Sequence, residues 1–184
     1  MQTMKTIQPL TIERDGARIE GATLGGALHG PVRIESDQRA IATLRYANGV
    51  LSGPATYFYP EGNPSAQAQY VNGKLDGKTL FYFPDGKVQR EAHYAAGALH
   101  GVSRTWLPDG TLLEEAHYRN GKLHGVLQRF HPNGCLSLRQ PFSAGKPMEA
   151  AKRYTDDGRP IAADGKPLAR WKQWWQALVN PSST

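Results

Sequence analysis

Apolar and polar positions in this chain run in short stretches of strand length, punctuated by glycine at regular intervals. Segments such as Lys78–Phe83 and Val88–Tyr94 are rich in aromatic and branched residues, as strands are. Two turn signals separate them. Asn-Gly stands at 48–49, 72–73 and 120–121, with Ala96-Gly97 and Ala144-Gly145 as variants. Asn-Gly favours a tight hairpin turn with positive φ at both central residues. Pro-x-Gly stands at 60–62, 84–86, 108–110 and 132–134. It fits a type I turn closed by a left-handed glycine. Each connection is too short for a crossover, so the strands must pair antiparallel.

The punctuation has a period of 24. An aromatic column runs Tyr46, Tyr70, Tyr94, Tyr118, Phe142. Glycine columns run Gly49, Gly73, Gly97, Gly121, Gly145 and Gly62, Gly86, Gly110, Gly134, Gly158. Another runs Gly53, Gly77, Gly101, Gly125 and fails at Glu149; a leucine column (Leu51, Leu75, Leu99, Leu123) ends at Pro147. A second aromatic column is Phe58, Tyr82, Trp106, Phe130, Tyr154. Fixed periods of this size mark repeat architectures, and the terminal repeats of such arrays decay because they cap the stack. Here Gly26 to Gly30 matches Gly49 to Gly53 at a spacing of 23, Arg39 replaces the third glycine, and Asp15-Gly16 and Asp164-Gly165 look like remnant turns. The expected fold is all-β: an open, single-layer antiparallel sheet of hairpin repeats. The array spans 46–158, with a degenerate cap over 1–45 and a C-terminal segment over 159–184. In that last segment Leu168, Trp171, Trp175 and Leu178 fall on one helical face behind Pro167, which predicts a short amphipathic capping helix.

Composition narrows the classes. Twenty glycines and thirteen prolines argue against a helical bundle and for many turns. The single cysteine, Cys135, excludes an internal disulfide framework and a four-cysteine zinc site. No apolar run is long enough for a membrane-spanning helix, and no secretory signal is visible at the N-terminus, so a cytoplasmic protein is expected. A net charge of +6 favours acidic partners.

The units Tyr70-Val-Asn-Gly-Lys-Leu-Asp-Gly77 with Tyr82-Phe-Pro-Asp-Gly86, and Tyr118-Arg-Asn-Gly-Lys-Leu-His-Gly125 with Phe130-His-Pro-Asn-Gly134, resemble the MORN-repeat variant, arrays of which are known as YwqK-type antitoxins. The resemblance covers about residues 46–158. It implies a non-enzymatic binding protein without catalytic residues or cofactor. For the bacterial variant it implies an antitoxin or immunity protein that blocks a toxin by contact. For eukaryotic MORN proteins it implies scaffolding at membranes, which makes an anionic-lipid scaffold the alternative.

The residues offer few candidates for chemistry. His93 faces His100 across Ala96-Gly97, and His117 faces His124, with Glu91 and Glu115 on the same face. Two histidines and a carboxylate suit a metal. The preceding unit places Gln69 and Asp76 there, which no metal demands, so a polar repeat face is the better reading. Cys135 occupies a turn exit equivalent to Asn63, Lys87 and Thr111 and lacks the surroundings of a nucleophile. Scattered cations interrupted by Glu114 and Glu115 disfavour nucleic acid. By strand alternation Tyr82, Trp106 and Phe130 share a face with Arg104, His100 and His124, opposite Tyr94 and Leu99, unless a bulge between 101 and 106 reverses it. Aromatics and arginine dominate protein hot spots, so these six are the expected contacts for an acidic toxin or effector. The oligomeric state is not legible.

Overall fold

The computed structural model describes residues 6–168. Over them the chain is an open antiparallel sheet of many strands, with no helix among the described residues. Two compact units divide the chain, Met1–Gly101 and Val102–Thr184. The first contains β1 (Ile7–Arg14), β2 (Ala17–Leu24), β3 (Ala27–Leu28), β4 (Gly30–Ser36), β5 (Arg39–Ala47), β6 (Val50–Leu51), β7 (Gly53–Phe58), β8 (Pro64–Val71), β9 (Lys74–Leu75), β10 (Gly77–Tyr82) and β11 (Val88–Ala95). β12 (Ala98–Trp106) runs from the first unit into the second. The second continues with β13 (Leu112–Arg119), β14 (Lys122–Leu123), β15 (Gly125–Phe130), β16 (Leu136–Ser143), β17 (Lys146–Pro147), β18 (Lys152–Tyr154) and β19 (Pro160–Ile161).

The turns follow the sequence signals. Asn48-Gly49, Asn72-Gly73, Ala96-Gly97, Asn120-Gly121 and Ala144-Gly145 all have positive φ at both residues, as does the remnant Asp15-Gly16. At the Pro-x-Gly turns the glycine amide bonds back three residues, Gly62 to Tyr59 and Gly134 to His131. A second bond, Tyr59 N–H to Asn63 carbonyl, then leaves one residue extra. This extra residue shows as a register shift between Tyr57 and Phe58, and likewise between Arg129 and Phe130. Where Arg39 replaces the third glycine, the chain instead makes a two-residue turn with positive φ at Asp37 and Gln38. That shorter turn explains why the first repeat measures 23 residues.

The second glycine column does something the period alone does not reveal. It marks a break inside the outgoing strand, not a turn. Tyr70 pairs Leu75 next to the turn, but farther along Gln67 pairs Leu80, a slip of two residues. The same slip occurs from Tyr118–Leu123 to Glu114–Arg129, and from Phe142–Pro147 to Leu138–Arg153. A slip of two keeps every side chain on its face. In the last case Pro147 and Glu149 replace leucine and glycine. The register survives, but pairing resumes only at Lys152.

Backbone bonds stitch one repeat to the next. Gly49, Gly73 and Gly97 donate to the carbonyls of Leu28, Leu51 and Leu75 in the first unit, and Gly145 to Leu123 in the second. The turn glycine and the leucine thus meet across repeats, which explains why both recur.

The core is a stripe of small residues. Cross-strand pairs Val32–Leu44, Ala55–Ala68 and Thr79–Ala92 line one face of the first unit and are all buried. Ser103, Ala116 and Leu127 continue the pattern in the second. On a single-layer sheet, floor residues are covered only if taller side chains lean over them. Tyr46, Leu51, Tyr57 and Tyr70 pack against Ala42, Leu44 and Ala55 in this way. Thr79 is 2% exposed and its hydroxyl has no hydrogen-bond partner. Thr79→Val keeps the shape and removes the unsatisfied group, so it is expected to stabilise the fold by ~1 kcal/mol in chemical denaturation.

β1 is an edge, paired only with β2 among the described residues. Arg14 and Ala17 close a two-residue turn, so the even-numbered backbone groups of β1 face β2 and the odd-numbered ones point outward. Pro9 is therefore an outward position and removes an amide from the open edge, a known protection. Pro9→Thr restores that amide, and sedimentation velocity is expected to show increased concentration-dependent self-association. At the other end, Asp164-Gly165 does form a turn, with Gly165 donating to Ala162. The predicted helix start is corrected: Pro167 bridges Ile161 and Leu168 donates to the Pro160 carbonyl, continuing the sheet. The rest of the predicted helix lies outside the described residues.

Candidate protein-binding face

The register separates two faces in each unit. One carries the alanine stripe with Tyr70 and Tyr94; the other carries the sequence candidates. In the first unit, Tyr82 pairs with Val88 and its hydroxyl donates to Gln67 Oε1 at 2.7 Å. Its carbonyl accepts from the Tyr59 hydroxyl at 2.7 Å. The ring is half-buried and held on both sides. His100 is exposed near the start of β12.

In the second unit, Arg104 Nε donates to Glu115 Oε2 at 2.7 Å. Glu115 is in register with Gln128, opposite the face of Ala116 and Tyr118. No bulge therefore reverses the alternation at Arg104, and Trp106 follows on the same side. Phe130 pairs with Leu136 on that side too. Trp106 and Phe130 are half-buried. Arg104 is thus already neutralised by a neighbour.

The histidines hold the backbone. His117 and His124 are opposite, and the His124 amide donates to the His117 carbonyl at 2.8 Å. Their rings turn to different partners. His117 Nδ1 lies 3.1 Å from the Val126 carbonyl, so that nitrogen must carry the proton. His124 Nδ1 accepts from the Ala144 amide at 3.4 Å, so there it must be bare. His29 accepts from the Asn48 amide, and Asp76 from the Ala96 amide, at the equivalent positions. At 29, 76 and 124 this column supplies an acceptor to the turn of the next repeat, a role that histidine and aspartate can both fill. The carboxylates beside the histidine pairs are engaged elsewhere, Glu91 with Lys78 at 2.7 Å and Glu115 with Arg104. The Cys135 amide donates to Asn133 Oδ1 and its carbonyl accepts from His131, the contacts of a turn residue.

Two titrations stand out. On the alanine face, Tyr57 is pushed up to about 12, first by burial and then by its hydrogen bond with the Tyr70 hydroxyl at 3.2 Å. The neutral form is favoured in the fold, so its contribution to stability is complete below pH 10 and is lost as pH rises through 12. Absorbance titration of phenolate is expected to show one tyrosine ionising near 12, and Tyr70→Phe to lower that value. At the Pro-x-Gly edge of the second unit, Asp157 is pushed down to about 2, chiefly by the Thr155 hydroxyl and then by Arg159.

Antiparallel hairpins with a common offset and recurrent turn stitches define a β-hairpin repeat protein. Residues 51–72, 75–96 and 99–120 match the MORN repeat variant. These are three consecutive MORN-variant repeats, and the chain is a MORN-repeat protein over that stretch. No curated protein matches. Among solved structures, TarM resembles it at 15% identity and a TM-score of 0.36 over 62% of this chain. S. aureus TarM, a point mutant in complex with Fondaparinux, alpha-GlcNAc-glycerol and UDP, resembles it at 15% identity and a TM-score of 0.34 over 63%. The chain spans 20% and 21% of the length of those two proteins.

Proposed function

We propose that this chain is a non-enzymatic binding protein of the bacterial cytoplasm that neutralises a partner toxin by direct contact and occlusion. The observation that carries this reading is the face opposite the alanine stripe. There Tyr82 in the first unit, and Trp106 and Phe130 in the second, stand half-exposed on a backbone pinned at each turn. Large rings on a rigid support lose little entropy on binding and supply most of the contact energy of protein interfaces. The surrounding positive charge speeds encounter with an acidic partner. His100 in the first unit, and His124 and Arg104 in the second, lie on the same face of their units as these rings; the pairing of Arg104 with Glu115 makes it a support for the surface more than a free charge.

The test is affinity capture of the tagged protein from its own organism at physiological and high salt, followed by assay of the captured partner. One partner whose toxic activity is lost at equimolar addition supports the reading. Capture of lipid or nucleic acid alone overturns it, and the lipid result establishes the membrane-scaffold alternative.

A further inference from the structure

The second unit concentrates positive charge in a way the first does not. Arg119 and Lys122 stand directly opposite each other across Asn120-Gly121. Arg139 and Lys152 stand directly opposite each other between β16 and β18. Both pairs lie on the candidate face: Arg139 is in register with Gln128 and hence with Glu115, and Arg119 adjoins Tyr118 on the stripe face. Lys146, opposite Ser143, joins them. The Lys122 stem lies against Gly145, its Cβ, Cγ and Cδ 3.7–4.0 Å from where a Cβ would stand, which carries one repeat's cation to the next turn.

Like charges directly opposite on a sheet are destabilising, and the repeat does not require them. In the first unit the equivalents of Arg119–Lys122 are Ala47–Val50 and Val71–Lys74, with at most one charge. The equivalents of Arg139–Lys152 are Thr43–Thr56 and Gln67–Leu80, with none. None of the five cations has an ion pair among the described residues. Arg119, Lys122, Lys146 and Lys152 are exposed, and Arg139 is half-buried. Glu115 is taken by Arg104, and exposed Glu149 pairs with none of the five.

We propose that these five cations form the docking surface for an acidic polypeptide segment of the partner. They stand at two levels, the turn and a point four residues along the strands, roughly 13 Å apart, with His117 and His124 between. That spread meets several carboxylates at once. Aromatic rings are not interleaved with the cations: Tyr118 and Phe142 belong to the stripe face, and Trp106 and Phe130 stand on this face but beyond the strand-level pair, so an oligonucleotide is the competing probe. For a bilayer, the large exposed apolar side chains among the described residues of this unit are Leu113 and Met148, 37% and 67% exposed, too few to anchor. The proposal rests on the protein-binding reading above and specifies its electrostatic part.

Fluorescein-labelled octaglutamate tests it by anisotropy, beside a twelve-nucleotide oligo-dT and phosphatidylcholine vesicles containing phosphatidylserine. The variant replaces Arg119, Lys122, Arg139, Lys146 and Lys152 by glutamine. A charge-matched control replaces Arg39, Arg45, Lys74, Lys78 and Lys87 in the first unit, and circular dichroism checks that both fold. Octaglutamate is expected to bind the native chain and the control within about twofold, and the variant about tenfold or more weakly. Equal loss in variant and control, or tighter binding of oligo-dT or vesicles than of octaglutamate, overturns the proposal. A captured toxin that binds the variant as tightly as the native chain overturns the site and leaves the protein-binding reading intact. Loss of octaglutamate binding in the variant alone, with no toxin captured, supports the site and removes that reading.

Discussion

Gly125→Ala is expected to destabilise the second unit by about 3 kcal/mol, read as a lower urea midpoint. Two costs add. Gly125 has φ +116, a conformation that side-chain-bearing residues rarely adopt, which by itself costs on the order of 1–3 kcal/mol. A Cβ there would also lie 2.9 Å from His117 Cβ and 3.3 Å from its Cγ. Those atoms sit at the root of a side chain whose ring is tied to the Val126 carbonyl, so they yield only by moving the strand. Gly77→Ala is the informative comparison. Its φ is +96, but its nearest neighbour, Gln69 Cβ, is 3.9 Å away. Gly77→Ala is expected to incur the backbone cost alone, so the difference between the variants isolates the overlap. Equal costs would show that the His117 contact is readily relieved.

Ala92→Leu is expected to cost ~2 kcal/mol in the first unit. Ala92 has no exposed surface, and it stands opposite Thr79, itself buried. A leucine must therefore displace the side chains roofing the stripe. Leucine is accommodated at Leu44 and Leu127, the equivalent and opposing positions elsewhere. Ala92→Leu therefore tests whether the middle of the stripe is filled. A variant of native stability would mean that the roof lifts without loss, and that burial there contributes little.

Much of this was legible from residue types alone, because hairpin turns need particular φ values and few residues supply them. Asn72-Gly73 and Pro84-Asp85-Gly86 announced their conformations, and the fixed period carried the rest. The break at Gly53, Gly77 and Gly125 was hidden, because a slip of two residues changes partners without changing faces. Alternation therefore placed Arg104 correctly while giving no sign of its bond to Glu115. The histidine column reads from sequence only as a polar face, because the bond that His124 accepts from the Ala144 amide links residues 20 apart in sequence. Pro167 and the helical spacing behind it pointed to a helix start, but the Ile161 bridge holds Pro167 in the sheet. The Arg139–Lys152 pair also needed the slip to be known, since no hairpin turn brings those two positions opposite.

The paired slip and bulge also have a bearing on how such a chain can change over generations. Each repeat corrects its own register before the next begins, whether it spans 23 residues or 24. A duplicated copy therefore inserts without turning any downstream side chain to the wrong face, and arrives with its own turn glycine and leucine carbonyl for joining. Unequal recombination at these boundaries is structurally silent apart from length. A sheet built this way can be lengthened or shortened in steps of roughly 10 Å and then tuned residue by residue, so its length and its side chains can change independently.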